Sequence, residues 1–152
     1  MIINNVLFKK YLVLIFFSVF CTIASSQNLA PFTTDGCSAF TDGTSTQKEL
    51  WLPCCIRHDF SYWQGGTAKK KVIADHELHQ CVVNLGQPSI ARLMLLGVRI
   101  GGSPYFPSSF RWGYGWPFPR GYQHLSIKEK QQVAEQSKKI DLSLQQVIKA
   151  ID

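Results

Sequence analysis

The chain is 152 residues long, with a formal net charge of +6 and five cysteines. That length holds one domain with a modest core and excludes two. The excess of basic residues is spread along the chain and not gathered into a stripe, so it favours anionic surfaces in general and gives no reason to expect a nucleic-acid partner.

The first residues have the form of an export signal. Lys9 and Lys10 precede an apolar run from Tyr11 to about Ile23, and Ala24-Ser25-Ser26 supplies small residues suited to cleavage. The run is about 13 residues, against the roughly 20 that a spanning helix needs. Cleavage is expected after Ser26, leaving a single domain over 27–152 in a secreted or periplasmic setting. It removes Lys9, Lys10 and Cys21 and lowers the charge by two, from +6 to +4. Cys21 follows Phe20 and not a small residue, which argues against a lipid anchor. Cys37, Cys54, Cys55 and Cys81 remain, an even number in an exported chain, which points to two disulfides with three pairings open.

From Asn28 to Gly43 no apolar period is sustained, and Asp35-Gly36 and Asp42-Gly43 mark turns, so this stretch is expected to be loop. A helical pattern runs from about Leu50 to Gln64, closed by Gly65-Gly66. Thr67 is placed to cap a second helix, in which Ala74, Leu78, Cys81, Val82 and Leu85 recur at three and four residues until Gly86. Lys69-Lys70-Lys71 reads as its solvated first turn. Pro88-Ser89 opens a third helix through Ile90, Leu93, Met94 and Val98, stopped by Gly101-Gly102.

An aromatic loop follows over 101–123, where Phe106, Phe110, Trp112, Tyr114, Trp116 and Phe118 stand among prolines, glycines, Arg111 and Arg120 without period. Two roles are open for it: contact of Tyr105 to Tyr122 with a bilayer surface through its Trp and Tyr side chains with Arg111 and Arg120, or an aromatic mini-core under a long loop. Ser126 with Glu129 forms a capping-box signature, and Val133, Ile140, Leu144, Val147 and Ile151 then predict one long helix over 126–151. Its apolar stripe would pack on its own core or pair with a protein partner. With no strand run and no repeat, the expected class is all-α.

The informative stretch is Cys54-Cys55-Ile56-Arg57-His58-Asp59-Phe60-Ser61-Tyr62-Trp63. Cys55, His58, Asp59 and Tyr62 stand at i, i+3, i+4 and i+7 and share one helix face, which is too polar for an ordinary core face. A hairpin turning at Gly65-Gly66 puts His58 and Asp75 at nearly equal depths, each roughly 10–12 Å from the turn, so that an antiparallel helix pair can bring carboxylate to imidazole. A carboxylate on one ring nitrogen fixes the tautomer and leaves the other nitrogen to take a proton from water. Tyr62, one turn from His58, is placed either to donate to Asp75 or to find another core acceptor.

Cys54-Cys55-x-x-His58-Asp59-x-x-Tyr62 closely resembles the active-site helix of the secreted phospholipase A2 family, and the spacing of Asp75 to Cys81 is similar to that of its second helix. Thr34-Asp35-Gly36-Cys37 is similar to the calcium loop of bacterial members. The resemblance covers roughly Thr34 to Gly86. It implies a disulfide-linked antiparallel helix pair with a calcium loop and an additional C-terminal helix, Cys37 bonded to Cys55 and Cys54 to Cys81, His58 as general base, and Asp75 and Tyr62 behind it. It also implies calcium held by Asp35, the Gly36 carbonyl and Asp59, and hydrolysis of the sn-2 ester of glycerophospholipids at a membrane surface. A non-catalytic relative that binds lipid or protein is the alternative. The chain departs from the vertebrate-type pattern in lacking a glycine-dense calcium loop and in keeping only four mature cysteines. No Ser or Cys stands in a recognisable nucleophile elbow. Cys54, Cys55, His58, His76, His79 and Cys81 are ligand types for zinc, but their spacing fits no familiar site and an exported chain favours their oxidation. His76 and His79 are expected on the outer face of the second helix.

Overall fold

The computed structural model describes residues 28–149. The expected signal segment, its cleavage site and Cys21 lie outside them, as does Ile151. Among the described residues there are five α-helices and no strand: α1 (Leu52–Gln64), α2 (Ala68–Asn84), α3 (Pro88–Gly101), α4 (Ile127–Ser137) and α5 (Leu142–Lys149). None is long and apolar enough to cross a membrane.

The first two helices form the frame. Gly65 ends α1 at φ +67°, and a Cβ there would lie 2.9 Å from the Cα of Gly113, so the position needs glycine for both its backbone angle and its neighbour. Thr67 then caps α2 by accepting from the Lys70 amide. Cys54 near the start of α1 is bonded to Cys81 near the end of α2, which makes the pair antiparallel, and Cys37 is bonded to Cys55, tying the preceding loop to α1. Loops of these lengths make each bridge worth about 3 kcal/mol. Trp51, Leu78, Val82, Ala91 and Met94 pack with the four cysteines where α3 lies against α2.

The carbonyls at the end of α1 have no partners within the helix, and the aromatic segment supplies them. Gly113 N donates to Tyr62 O (2.7 Å), Gly115 N to Trp63 O (3.3 Å), Trp116 Nε1 to Gln64 O (2.8 Å) and Trp112 Nε1 to Gly66 O (2.9 Å). A Cβ on Gly115 would meet Trp63 Cδ1 at 2.4 Å, so the segment approaches α1 more closely than any other residue would permit. Trp112 and Trp116 are each 1% exposed. Arg111 donates to the carbonyls of Gly113 and Trp116, while Arg120 pairs with Glu129 (2.8 Å) and lies over the Trp116 ring. Trp112, Trp116, Arg111 and Arg120 therefore form an aromatic mini-core and are enclosed by the protein, whereas Tyr105, Phe106, Phe110, Phe118 and Tyr122 of the same segment keep exposed surface.

The terminal helix also needs correction, because the expected single helix is two. The capping box of Ser126 and Glu129 forms and opens α4. The chain then tightens through Lys139 N to Gln136 O and Ile140 N to Ser137 O, and Asp141 accepts from the Ser143 amide (2.8 Å) to start α5. An aspartate in that position is a strong N-cap and competes with helix continuation. Val133 of α4 packs on Leu29, Trp63 and Trp116, and α5 turns back onto α1.

If the aromatic segment is core, Trp116→Ala lowers stability by about 3–5 kcal/mol. Phe118→Ala, at a position 48% exposed, lowers it by less than about 1 kcal/mol. Urea denaturation followed by circular dichroism checks the order, and equal losses would contradict the assignment.

Candidate functional site

His58 faces α2 from the middle of α1, and its Nε2 lies 3.2 Å from Asp75 Oδ1. The Tyr62 hydroxyl, one turn further along α1, donates to the same oxygen at 2.6 Å. Lys71 Nζ donates to Asp75 Oδ2 at 2.9 Å and to the Val98 carbonyl of α3 at 3.1 Å, and the Tyr62 hydroxyl is 3.2 Å from that carbonyl. Asp75 is 1% exposed. Burial pushes its pKa up, but the hydrogen bonds from His58, Tyr62 and Lys71 outweigh this and hold it below the ordinary carboxylate value. Burial lowers the His58 pKa against the raising effect of Asp75. Burial and the Asp75 charge raise the Tyr62 pKa, so the phenol stays a donor.

Lys71 was expected in a solvated turn, and the structure places it in the core. Lys69 and Lys70 are exposed as expected, whereas Lys71 is 5% exposed. Lys71, Ala74, Asp75, Leu78 and Val82 are the buried residues of α2. Their spacing of three and four marks one stripe, and extending the apolar period backward by one turn would have found the lysine. Its ammonium balances the Asp75 carboxylate, so a neutral His58 completes a neutral cluster.

Asp59 points the other way, toward the loop before α1. Thr34 Oγ1 donates to its Oδ2 at 2.6 Å, and Gly36 N donates to the Thr34 hydroxyl. Ser38 donates to Asp35 at 2.6 Å. Asp35 and Asp59 line one small cavity of about 170 Å³ with Thr33, Thr34, Ser38 and Tyr114. The Asp59 pKa is raised to about 7, first by burial, against the Thr34 hydrogen bond, with the Asp35 charge adding to the rise. Among the described residues neither carboxylate joins a salt bridge. Two acidic oxygen donors facing one cavity without a basic partner suit a hard cation such as calcium, which takes its remaining oxygens from carbonyls and water.

A larger cavity of about 410 Å³ adjoins this one and shares Ser38, Asp59 and Phe110 with it. His58 and Tyr62 line it together with Leu78, Leu93, Met94 and Val98. Asp35, Gly36 and Asp59 thus gather around the two cavities, while His58, Tyr62 and Asp75 are in direct contact. For zinc the arrangement is unsuitable, since Cys37, Cys54, Cys55 and Cys81 are oxidised. Among the described residues no group of three or more His, Cys, Asp or Glu is placed to hold any metal ion, so a calcium at Asp35 and Asp59 would depend on carbonyl and water oxygens for most of its ligands. His76 is exposed, with its ring stacked on His79.

No family model, no curated protein and no solved structure matches the chain. The resemblance therefore rests on the residues between Thr34 and Gly86 alone.

The buried cation makes a specific expectation. Lys71→Met leaves Asp75 without its counter-charge and lowers stability by about 3–5 kcal/mol, whereas Lys69→Met and Lys70→Met change it by less than about 0.5 kcal/mol. Chemical denaturation of the three variants measures this. A Lys71→Met protein as stable as its neighbours would show that the ammonium does not hold the carboxylate in place.

Proposed function

We propose that the chain is a calcium-dependent hydrolase of glycerophospholipids, cleaving the sn-2 ester with a water molecule activated by His58. The observation that carries this reading is the contact of His58 Nε2 with the buried Asp75 carboxylate beside an apolar cavity. An ionised Asp75 favours hydrogen on Nε2, which leaves Nδ1 as the nitrogen able to accept a proton from water. Asp75 then stabilises the imidazolium that forms. Tyr62 and Lys71 keep Asp75 in place and charged. The cysteines beside His58 are oxidised, the Ser61 hydroxyl donates to the Arg57 carbonyl and the Ser38 hydroxyl to Asp35, which supports water as the attacking group.

Asp35, Asp59 and the Gly36 carbonyl would hold calcium, which when bound stabilises negative charge developing on the ester carbonyl oxygen. Leu78, Leu93, Met94 and Val98 give the adjoining cavity an apolar wall, which suits an acyl chain. The choice of the sn-2 bond follows from the family resemblance.

The two groups fail differently when removed. His58→Gln retains calcium binding and loses turnover by roughly 10²–10⁴-fold. Asp59→Asn weakens calcium binding and turnover together, and Asp75→Asn slows the reaction while sparing the metal. Calcium titration by calorimetry beside an acyl-release assay separates these outcomes. Full activity of His58→Gln, or undiminished activity in excess chelator, removes the mechanism, and calcium-dependent lipid binding without turnover selects the non-catalytic alternative.

A further inference from the structure

From α3 and the residue that ends it, Leu93, Met94, Gly97, Val98, Gly101 and Gly102 line the larger cavity. Two of the glycines are accounted for by their surroundings. A Cβ on Gly102 would lie 2.5 Å from the Tyr62 hydroxyl, so a side chain there would collide with a member of the Asp75 cluster. Gly101 closes the helix, where glycine is common, and the Phe110 ring lies 3.7 Å from where its Cβ would be.

Gly97 has no such reason. It stands inside α3 between Leu96 and Val98, a full turn before the end, with a helical backbone that any residue adopts. A Cβ built on it would meet no heavy atom within 4 Å. Glycine is the poorest helix former after proline, because it loses the most backbone freedom on folding. Alanine at this position would therefore fit and would hold the helix better. What a side chain at 97 would change is the cavity that Gly97 lines with His58 and Tyr62. Leu93 and Gly101, each four residues away, share its row on the helix. Between the Leu93 side chain and the Phe110 ring beside Gly101, position 97 leaves this row open.

We propose that Gly97 sets which acyl chains the cavity accepts: its missing side chain leaves room along α3 for a long chain, and bulk at 97 confines the cavity to short ones. The inference rests on the lipid-ester reading above. It adds to that reading a residue on which the family resemblance is silent, because α3 lies outside Thr34 to Gly86. Gly97 acts by the space it leaves and carries no group that could enter the chemistry. It does not line the smaller cavity of Asp35 and Asp59, so a substitution there alters chain preference and leaves the cation donors as they are.

The test is binding of hexyl-, octyl- and decylphosphocholine, which hold no carboxylic ester to cleave, measured by calorimetry below their micelle concentrations. The parent chain is expected to gain up to about fourfold in affinity for each methylene added. Gly97→Leu is expected to bind hexylphosphocholine as the parent does and decylphosphocholine about tenfold more weakly, which corresponds to roughly two methylenes left unburied. Gly97→Ala is expected to show a smaller loss in the same direction, with a melting temperature at or above the parent's. Leu96→Phe adds bulk to the same helix at a residue that does not line the cavity, and is expected to leave chain preference unchanged. Five results would each overturn the inference: no chain-length dependence in the parent, decylphosphocholine bound equally by Gly97→Leu, equal weakening of all three ligands, a Gly97→Ala protein clearly less stable than the parent, or a parent dimer that Gly97→Leu dissociates. Acyl release from monomeric dihexanoylphosphatidylcholine is followed in parallel. Its absence beside chain-dependent binding would remove the hydrolase and leave Gly97 in control of an apolar binding site, whereas release with a preference that Gly97→Leu does not move would remove the role of Gly97 alone.

Discussion

Burying the carboxylate of Asp75 is the constraint on which the arrangement of the first three helices depends. An ionised carboxylate removed from water is costly unless each oxygen finds donors, and the cost of breaking such an arrangement is several kcal/mol. Here Oδ1 faces His58 and Tyr62 of α1, and Oδ2 receives Lys71 of its own helix. The lysine must then be satisfied in turn, and it takes the Val98 carbonyl of α3. One buried charge thus fixes the depth at which α1 crosses α2 and the position of α3 against both. A shift of any of the three helices by a fraction of a turn would leave a charged group without its partner.

The aromatic segment serves the same end of the molecule by a different route. Helix α1 stops at Gln64, just past Tyr62 and Trp63, where its last carbonyls would fray if left to solvent. The amides of Gly113 and Gly115 and the indoles of Trp112 and Trp116 occupy the carbonyls of residues 62, 63, 64 and 66. The Trp63 indole in turn donates to Ala30, anchoring the segment that leads toward Asp35. A long stretch without regular structure is therefore as firmly specified as a helix, because its donors are counted against acceptors at a helix end.

Much of this was legible in the residues, and the failures have physical causes. Helix boundaries marked by Gly65-Gly66, Thr67, Pro88 and the Ser126 capping box were found because caps act locally. The depth of Asp75 opposite His58 followed from helix rise and a short turn. Lys71 was misplaced because a run of three lysines was weighed by its charge and not by its spacing, and a helical stripe can carry a cation when an acid four residues on faces the same way. The break before α5 was missed because the apolar positions Val133, Ile140, Leu144 and Val147 keep a helical period across Asp141, whose capping of Ser143 that period does not reveal. The inward turn of Arg111 and Arg120 was not legible at all, since it depends on the Gly113 and Trp116 carbonyls for the first and on Glu129 and the Trp116 ring for the second, brought close only by the fold. Pairing of the cysteines came from resemblance, as spacing alone left three possibilities.

The order of residues along α1 explains how one short helix can serve two neighbours. Adjacent positions on a helix point about 100° apart, and positions four apart point nearly the same way. Cys54 and His58 face α2, where they meet Cys81 and Asp75, and Tyr62 extends the same row to Asp75 and Lys71. Cys55 and Asp59 face the preceding loop, where they meet Cys37 and Thr34. The adjacent cysteines and the adjacent His58-Asp59 are thus the same two directions taken twice, one turn apart. Each disulfide lies one turn from a polar contact on its own face, so the covalent bond limits how far that contact can drift. Tying α1 on both faces within a single turn holds the imidazole against one neighbour and the Asp59 carboxylate against the other without requiring a large core.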